Sequence, residues 1–322
     1  MPRRPHLPSN IVSGAFTVAE AQAAGIDRRQ LSSRQFIRLS RGVYVARSAA
    51  VTEQDIVRSY LRSTPEAVAC RMTAARILGL PLPAGTPQWR LEDSRFQIHL
   101  SYAGSHRHDS GRLRWSQLDL LPEDVLTHRG LRVTSRPRTL LDLSGDVRTF
   151  RLEDLVAIGD HLVRTPRAGI ERRTKPFATI AQLRHLAQRY RGRGAVRLRD
   201  ALDMVIVGSD SPSETMLRLA ILRAGLPVPQ ANVEIFDGGI SLGQPDLAWP
   251  KWRVCVEHEG PHHRTPRQQD RDIDRGELRR DRGWIEVQTT ARDLRYDCSR
   301  AVARVEEKLR QRGWHGPRTR QS

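Results

Sequence analysis

Three carboxylates toward the C-terminal end have the types and spacing that phosphate chemistry needs: Asp246, directly after Pro245, and Glu257 and Glu259, two residues apart. On a strand, residues two apart share a face. Neighbouring strands lie about 4.8 Å apart, so acids at adjacent strand ends can meet at one hard cation. Phosphodiester hydrolysis uses such an arrangement: the ion neutralises phosphate charge, acidifies a bound water and aligns attacker and leaving group. Without a cation, gathering several carboxylates costs several kcal/mol in desolvation and repulsion. Gly260 follows Glu259, then His262, His263, Arg264 and Arg267. A histidine here can ligate metal or carry a proton to the leaving oxygen, and arginines suit phosphate oxygens. Glu214 is a further acid near the same point. Taken singly each residue is ordinary, since a strand-end glutamate is usually solvated and paired histidines often lie on the surface.

The elements expected to hold these acids begin at Ser211-Pro212-Ser213-Glu214. Ser211 can cap a helix with Pro212 in its first turn, and an apolar face follows through Leu217, Leu219, Ile221 and Leu222 until Gly225. Val233 to Phe236 reads as a strand, Asp237-Gly238-Gly239 as a hairpin turn, and Leu242 to Ala248 and Arg253 to Glu257 as two more strands. A charged helix over Gln268 to Arg282, a strand over Ile285 to Thr289 and a helix over Ser299 to Arg310 complete the order helix, three strands, helix, strand, helix.

The first segment, Asn10 to Ser48, reads as a helix over Phe16 to Ala24, a second over Arg28 to Arg34 capped by Asp27, and strands at Phe36–Leu39 and Gly42–Val45. That is the layout of a winged helix-turn-helix, whose second helix would enter a major groove while the wing touches phosphates. Arg28, Arg29, Arg34 and Arg41 would then face nucleic acid, joined at the acidic site by Arg264, Arg267 and Arg275. Any small helical pair with a hairpin shares this layout. The middle stretch, Thr52 to Gly208, mixes short helices and strands. Arg71 to Leu80 reads as a helix, Arg95–Ser101 and Leu131–Ser135 as strands, Thr139–Leu143 as a helix start, and Arg164 to Pro176 as an exposed loop. His99, His106, His108, His128, His161 and His185 are scattered along it without ligand spacing.

Composition frames these motifs. The chain of 322 residues carries 54 Lys plus Arg against 36 Asp plus Glu, a formal charge of +18. Such an excess suits a polyanionic partner, foremost nucleic acid, although arginine-rich proteomes give basic proteins too. No apolar run approaches a membrane span, and the basic, proline-rich start lacks the apolar core of a secretory leader. Cys70, Cys255 and Cys298 form neither a zinc pattern nor a disulfide framework, which points to a reducing cytoplasm. The 5% aromatic content offers no strand pattern for stacking RNA bases.

The acidic segment resembles the PD-(D/E)XK nuclease superfamily, and more closely the very-short-patch-repair-like domain common in actinobacterial proteins. The resemblance rests on Ser211-Pro212-Ser213-Glu214, Gly225-Leu226-Pro227-Val228-Pro229, Asp246-Leu247-Ala248-Trp249-Pro250 and Val256-Glu257-His258-Glu259-Gly260-Pro261-His262-His263. It continues through Asp270 to Arg275, Gly283-Trp284 and Thr289 to Leu294. It implies an αβββαβ core, with Asp246 and Glu257 as metal-binding acids and Glu214 as the helix acid. The superfamily's motif lysine is absent: Glu259 stands in its place, and His263, Arg275 or Gln288 are candidates for its electrostatic role. Residues 10 to about 145 resemble AbiEi-type antitoxins, through Phe16 to Gly25, Arg41-Gly42-Val43-Tyr44, Thr73 to Pro81 and Val133 to Leu143. This likeness implies a DNA-binding winged helix and an antitoxin-like domain, without requiring a toxin partner.

The expectation is therefore a multi-domain α/β protein with four parts: a winged helix (1–50), an α+β middle domain (51–208), a restriction-endonuclease-like domain (209–314) and a basic tail (315–322). Two functions follow. One is a DNA endonuclease dependent on Mg²⁺ or Mn²⁺, with Asp246, Glu257, Glu259 and His263 catalytic and Asp246, Glu257 and Glu214 at the metal. The other is a non-catalytic DNA-binding regulator or antitoxin with a degenerate nuclease fold. DNA is the expected partner in both, with a cognate toxin or other protein as a further one and no membrane.

Overall fold

A computed structural model describes Ile11 and residues 14–316, apart from 92, 94, 103, 105–108, 110, 168, 170 and 260–265; over 266–272 only the backbone is described. The protein is mixed α/β, with two compact units: residues 1–149 with 192–194, and residues 150–191 with 195–322. The expected middle segment, 51–208, is shared between them.

The first unit begins with β1 (Ala15–Thr17), α1 (Val18–Ala23), α2 (Arg28–Leu31), β2 (Phe36–Ser40) and β3 (Val43–Ala46). Phe16 lies on a strand, contrary to the expected helix. Thr17 Oγ1 accepts the Glu20 N–H while the Glu20 carboxylate accepts the Thr17 N–H, so the capping box starts the helix only at Val18. Phe16 packs edge-on to Phe36 and stacks on Tyr44. β1 and β2 flank β3 in an antiparallel sheet. α2 is a single turn rather than the expected Arg28–Arg34, because the Ser32 hydroxyl bonds the Arg28 carbonyl at 3.1 Å and the Ser33 hydroxyl bonds Gln35 N.

This small sheet is bonded into its unit. The Leu39 carbonyl accepts from Arg112 N at 3.0 Å, and Tyr60 of α3 (Glu53–Ser63) hydrogen-bonds the Ser40 hydroxyl at 2.7 Å. Next come β4 (Val68–Ala69), α4 (Arg71–Leu78), β5 (Ile98–Ser101), β6 (Leu113–Ser116), β7 (Val125–His128), β8 (Leu131–Thr134) and α5 (Arg136–Ser144). The strands form a mixed sheet in the order β6-β5-β4-β8-β7. Gly79, left-handed at φ +67°, ends α4 at Leu78, two residues before the expected Leu80. Arg138 of α5 joins Asp124 at 2.6 Å and Asp142 at 3.0 Å in a buried network. The helix starting at the expected Thr139 in fact begins three residues earlier, where Ser135 caps it.

The second unit opens with the helices α6 (Leu152–Val163), α7 (Ile180–Arg189), α8 (Ala195–Asp203) and α9 (Pro212–Arg223). β9 (Gln230–Ala231), β10 (Phe236–Asp237), β11 (Ile240–Ser241), β12 (Leu247–Trp249) and β13 (Val254–Glu259) follow, and α10 (Pro266–Asp281), β14 (Ile285–Thr290) and α11 (Ser299–Gln311) complete it. The principal sheet has the order β14-β13-β12-β9, parallel between β13 and β14 and antiparallel elsewhere. Two expected strands are shorter. Gly243 at φ +80° and Pro245 delay β12 until Leu247. Of Val233–Phe236 only Phe236 enters a strand, in the β10–β11 hairpin outside the principal sheet, with Val233 and Phe236 facing solvent.

Alternation along the strands assigns the two faces. Leu247, Trp249, Val254, Val256 and Val287 pack with Leu217 and Ile221 of α9 and Val305 and Leu309 of α11. Ala248 and Cys255 pack on the opposite side with Ile235, Leu242, Trp284 and Leu278 of α10. The sheet is thus the middle layer between α9 and α11 on one side and α10 on the other.

Candidate functional site

The acids gather on the α10 side. Leu247 pairs with Val256 and Ala248 with Cys255, so one further step of the same register sets Asp246 opposite Glu257. By alternation Asp246 shares the face of Ala248, and Glu257 that of Cys255. Asp246 Oδ2 accepts the His258 N–H at 2.6 Å, which holds the strand ends together there. In the parallel neighbour Cys255 pairs with Glu286 and Glu257 with Gln288, so Glu286 and Gln288 join this face. Glu259, opposite Thr290, sits at the exposed end of β13 on the same side. His258 takes the other face, where its Nδ1 meets Thr289 Oγ1 at 3.1 Å.

Glu214 enters from the first turn of α9. Ser211 Oγ accepts the Glu214 N–H at 3.3 Å, as the capping reading requires, and the side chain is buried. Glu214 Oε2 accepts from Asp210 N at 2.8 Å and from Asn232 Nδ2 at 2.7 Å. Asn232 is left-handed, at φ +49°, a conformation asparagine tolerates better than most residues. Its own N–H donates to the Asp246 carbonyl at 3.0 Å, so one asparagine ties Glu214 to the segment that carries Asp246.

Electrostatics shows these acids sense one another. Burial pushes the Asp246 carboxyl up to about 8, and the Glu214 and Glu257 charges push in the same direction. Burial also raises Glu214 and Glu257; for Glu257 the hydrogen bond from Arg279 opposes the rise. Arg279 of α10 is 1% exposed. Its Nη1 donates to Glu257 Oε1 and to Glu286 Oε2, each at 2.7 Å, and its Nε donates to the Leu242 carbonyl at 2.9 Å. Arg167, from the basic stretch after α6, bonds Asp210 at 2.8 Å, and the charges of Glu214 and Asp246 help to hold it protonated.

Among the described residues, no three or more His, Cys, Asp and Glu side chains form a ready-made metal site. Asp246 and Glu257 nonetheless offer hard oxygen donors in a region with more negative charge than it can hold ionised. Magnesium is commonly bound through one or two carboxylates, with water and substrate phosphate supplying the rest. The donor set fits that mode and does not fit an all-protein cage.

The expected site residues separate into groups. Asp246, Glu257 and Glu214 come together, and Glu259 lies beside them at the rim. Gln288 shares the face, and Arg275 is exposed on α10 with its aliphatic stem over Gly243. His263 and Arg264, like His262 and Gly260, lie outside the described residues, as do His106, His108 and residues 317–322; the Arg267 side chain does too. Arg28, Arg29, Arg34 and Arg41 are exposed in the first unit. Of the scattered histidines, His99 is largely buried, and its pKa is depressed to about 4 by desolvation. Sequence reasoning missed Glu286, Arg279, Asn232 and Arg167. Glu286 was findable from strand alternation with Gln288; Arg279, Asn232 and Arg167 had no local signal.

No known protein family matches the chain, and no solved structure matches it. Two proteins of Mycobacterium tuberculosis, from strains CDC 1551/Oshkosh and ATCC 25618/H37Rv and both named only as uncharacterized, are each 30% identical over 118 residues. The match covers 36% of this chain and 44% of either relative.

Proposed function

We propose that the protein is a metal-dependent endonuclease acting on DNA, with its centre in the second unit at Asp246 and Glu257. The reading is supported by the β12–β13 register, which, carried one residue past Leu247–Val256, sets these two acids opposite each other on one face, and by the Glu214 charge, which raises the Asp246 carboxyl further. Asp246 and Glu257 would hold the ion; once bound, it would supply charge neutralisation and an acidified water. The chain's own residues prepare that position. Asn232 and Asp210 N fix one oxygen of Glu214. The His258 N–H fixes one oxygen of Asp246. Exposed Arg167 stands at the rim, where a guanidinium can meet a phosphate oxygen. The net charge of +18 suits a polyanionic substrate. In the first unit, the exposed arginines beside α2 and the β2–β3 turn would bind the duplex as a winged helix does.

Purified protein with Mg²⁺ or Mn²⁺ is expected to nick plasmid DNA, and Asp246→Ala with Glu257→Ala to abolish nicking while leaving DNA binding intact. Equal nicking by the double variant would refute the assignment. A second reading, a DNA-binding regulator with a silent nuclease fold, is favoured by one observation: Arg279 already neutralises part of Glu257. Sequence-selective DNA binding without cleavage in either metal would select it.

A further inference from the structure

On the α10 side of the sheet, among the described residues, acids outnumber the buried cation. Asp246, Glu257 and Glu286 lie on this face, and Arg279 is bonded to two of them. With these three ionised, Arg279 leaves two of their negative charges uncompensated, and buried Glu214 and rim Glu259 add to the excess. Arg167 and Arg275 also come near, but both are exposed, so water and salt weaken their contribution.

Arg279 is not placed to grip a substrate. At 1% exposure its guanidinium is enclosed, and its Nη2 is buried with no hydrogen-bond partner among the described residues. The loop before β12 makes room for it: a Cβ on Gly243 would come within 3.4 Å of that Nη2 and within 2.8 Å of Arg275 Cδ. Nη1 meanwhile bridges Glu257 and Glu286, where, in a cluster of carboxylates alone, a second metal ion would bind. Two-metal sites set their ions about 3.5–4 Å apart between shared carboxylates. A fixed guanidinium between two of these acids does the same electrostatic work without exchanging.

We propose that Arg279 is a resident cation of the acidic face: it permanently fills the Glu257–Glu286 position, so the face takes up one exchangeable divalent ion, between Asp246 and Glu257. This rests on the metal reading above and adds the number of ions and the residue that sets it. Arg279 is a positioning residue, acting through Glu257.

The test is Mn²⁺ binding to the full-length protein, followed by the electron paramagnetic resonance signal of free Mn²⁺, with circular dichroism to verify folding. Wild type and Arg279→Lys are expected to bind one ion. Arg279→Gln is expected to bind two, and Arg279→Gln combined with Glu286→Gln to return to one. Two ions in wild type, or one ion in a folded Arg279→Gln, would overturn the role given to Arg279. If wild type binds none, the metal reading fails and this inference falls with it, an outcome distinct from the other two. Should Arg279→Gln not fold, Glu286→Gln carries the test. It leaves the guanidinium to Glu257 alone, so Mn²⁺ affinity should fall about tenfold; unchanged affinity would overturn the proposal.

Discussion

Asp246 makes stability depend on pH in the direction opposite to most acids. Its carboxyl lies near 3.8 in the unfolded chain and is pushed up to about 8 in the native one by burial and by Glu214 and Glu257. Between these values the folded protein holds a proton that the unfolded chain has released. Stability from this group is therefore fully present below about pH 4, declines as pH rises, and levels off above about 8. One proton is worth about 1.4 kcal/mol per pH unit, so the loss from pH 5 to pH 8 approaches 4 kcal/mol as an upper bound. Glu214 and Glu257, also raised, titrate in the same direction, so the difference between wild type and Asp246→Asn reports Asp246 together with its coupling to these two acids. The assay is urea unfolding in excess EDTA from pH 5 to pH 9, read by tryptophan fluorescence, to which buried Trp249 and Trp284 contribute. Asp246→Asn should gain on wild type by a few kcal/mol over that range. Parallel profiles for the two proteins would refute the claim that a buried, mutually repelling carboxylate cluster exists.

Arg218→Met should destabilise the protein by about 3–5 kcal/mol, because it leaves Asp160 buried without the guanidinium now 2.8 Å away; a thermal melt within about 1 °C of wild type would contradict this. Gly243→Ala should cost at least about 1–2 kcal/mol, since its φ of +80° disfavours any side chain and the added methyl would press on Arg275; urea midpoints measure it. DNA affinity should fall with rising salt, and Arg28→Ala with Arg29→Ala should flatten the slope of log affinity against log salt by about two. An unchanged slope would remove those arginines from the interface.

Of the helices of the second unit, α9 and α11 were readable because their signals are local, whereas α6, α7 and α8 were not identified within the mixed middle stretch. Ser211-Pro212 marks the start of α9, and the apolar spacing of Val302, Val305 and Leu309 marks α11. Asp246 and Glu257 were legible because strand alternation places them without knowledge of tertiary contacts. β9 was not, since a two-residue strand after Pro229 has no period to detect, and its pairing with β12 is decided in space. Arg279 was hidden for a related reason. Within a helix as charged as Pro266–Asp281, nothing local separates Arg279, which turns inward, from Arg275 and Arg280, which stay in solvent.

The Asp160–Arg218 pair decides where this chain can be cut. Asp160 belongs to α6, yet it accepts hydrogen bonds from Arg218 and Thr215 of α9, each at 2.8 Å, and from Ile206 N. A fragment beginning near residue 209, where the motifs begin, would take Asp160 away from Arg218 and bare the side of α9 that α6 now covers. Any expression boundary for the acidic unit therefore belongs ahead of Leu152, well upstream of its first recognisable motif.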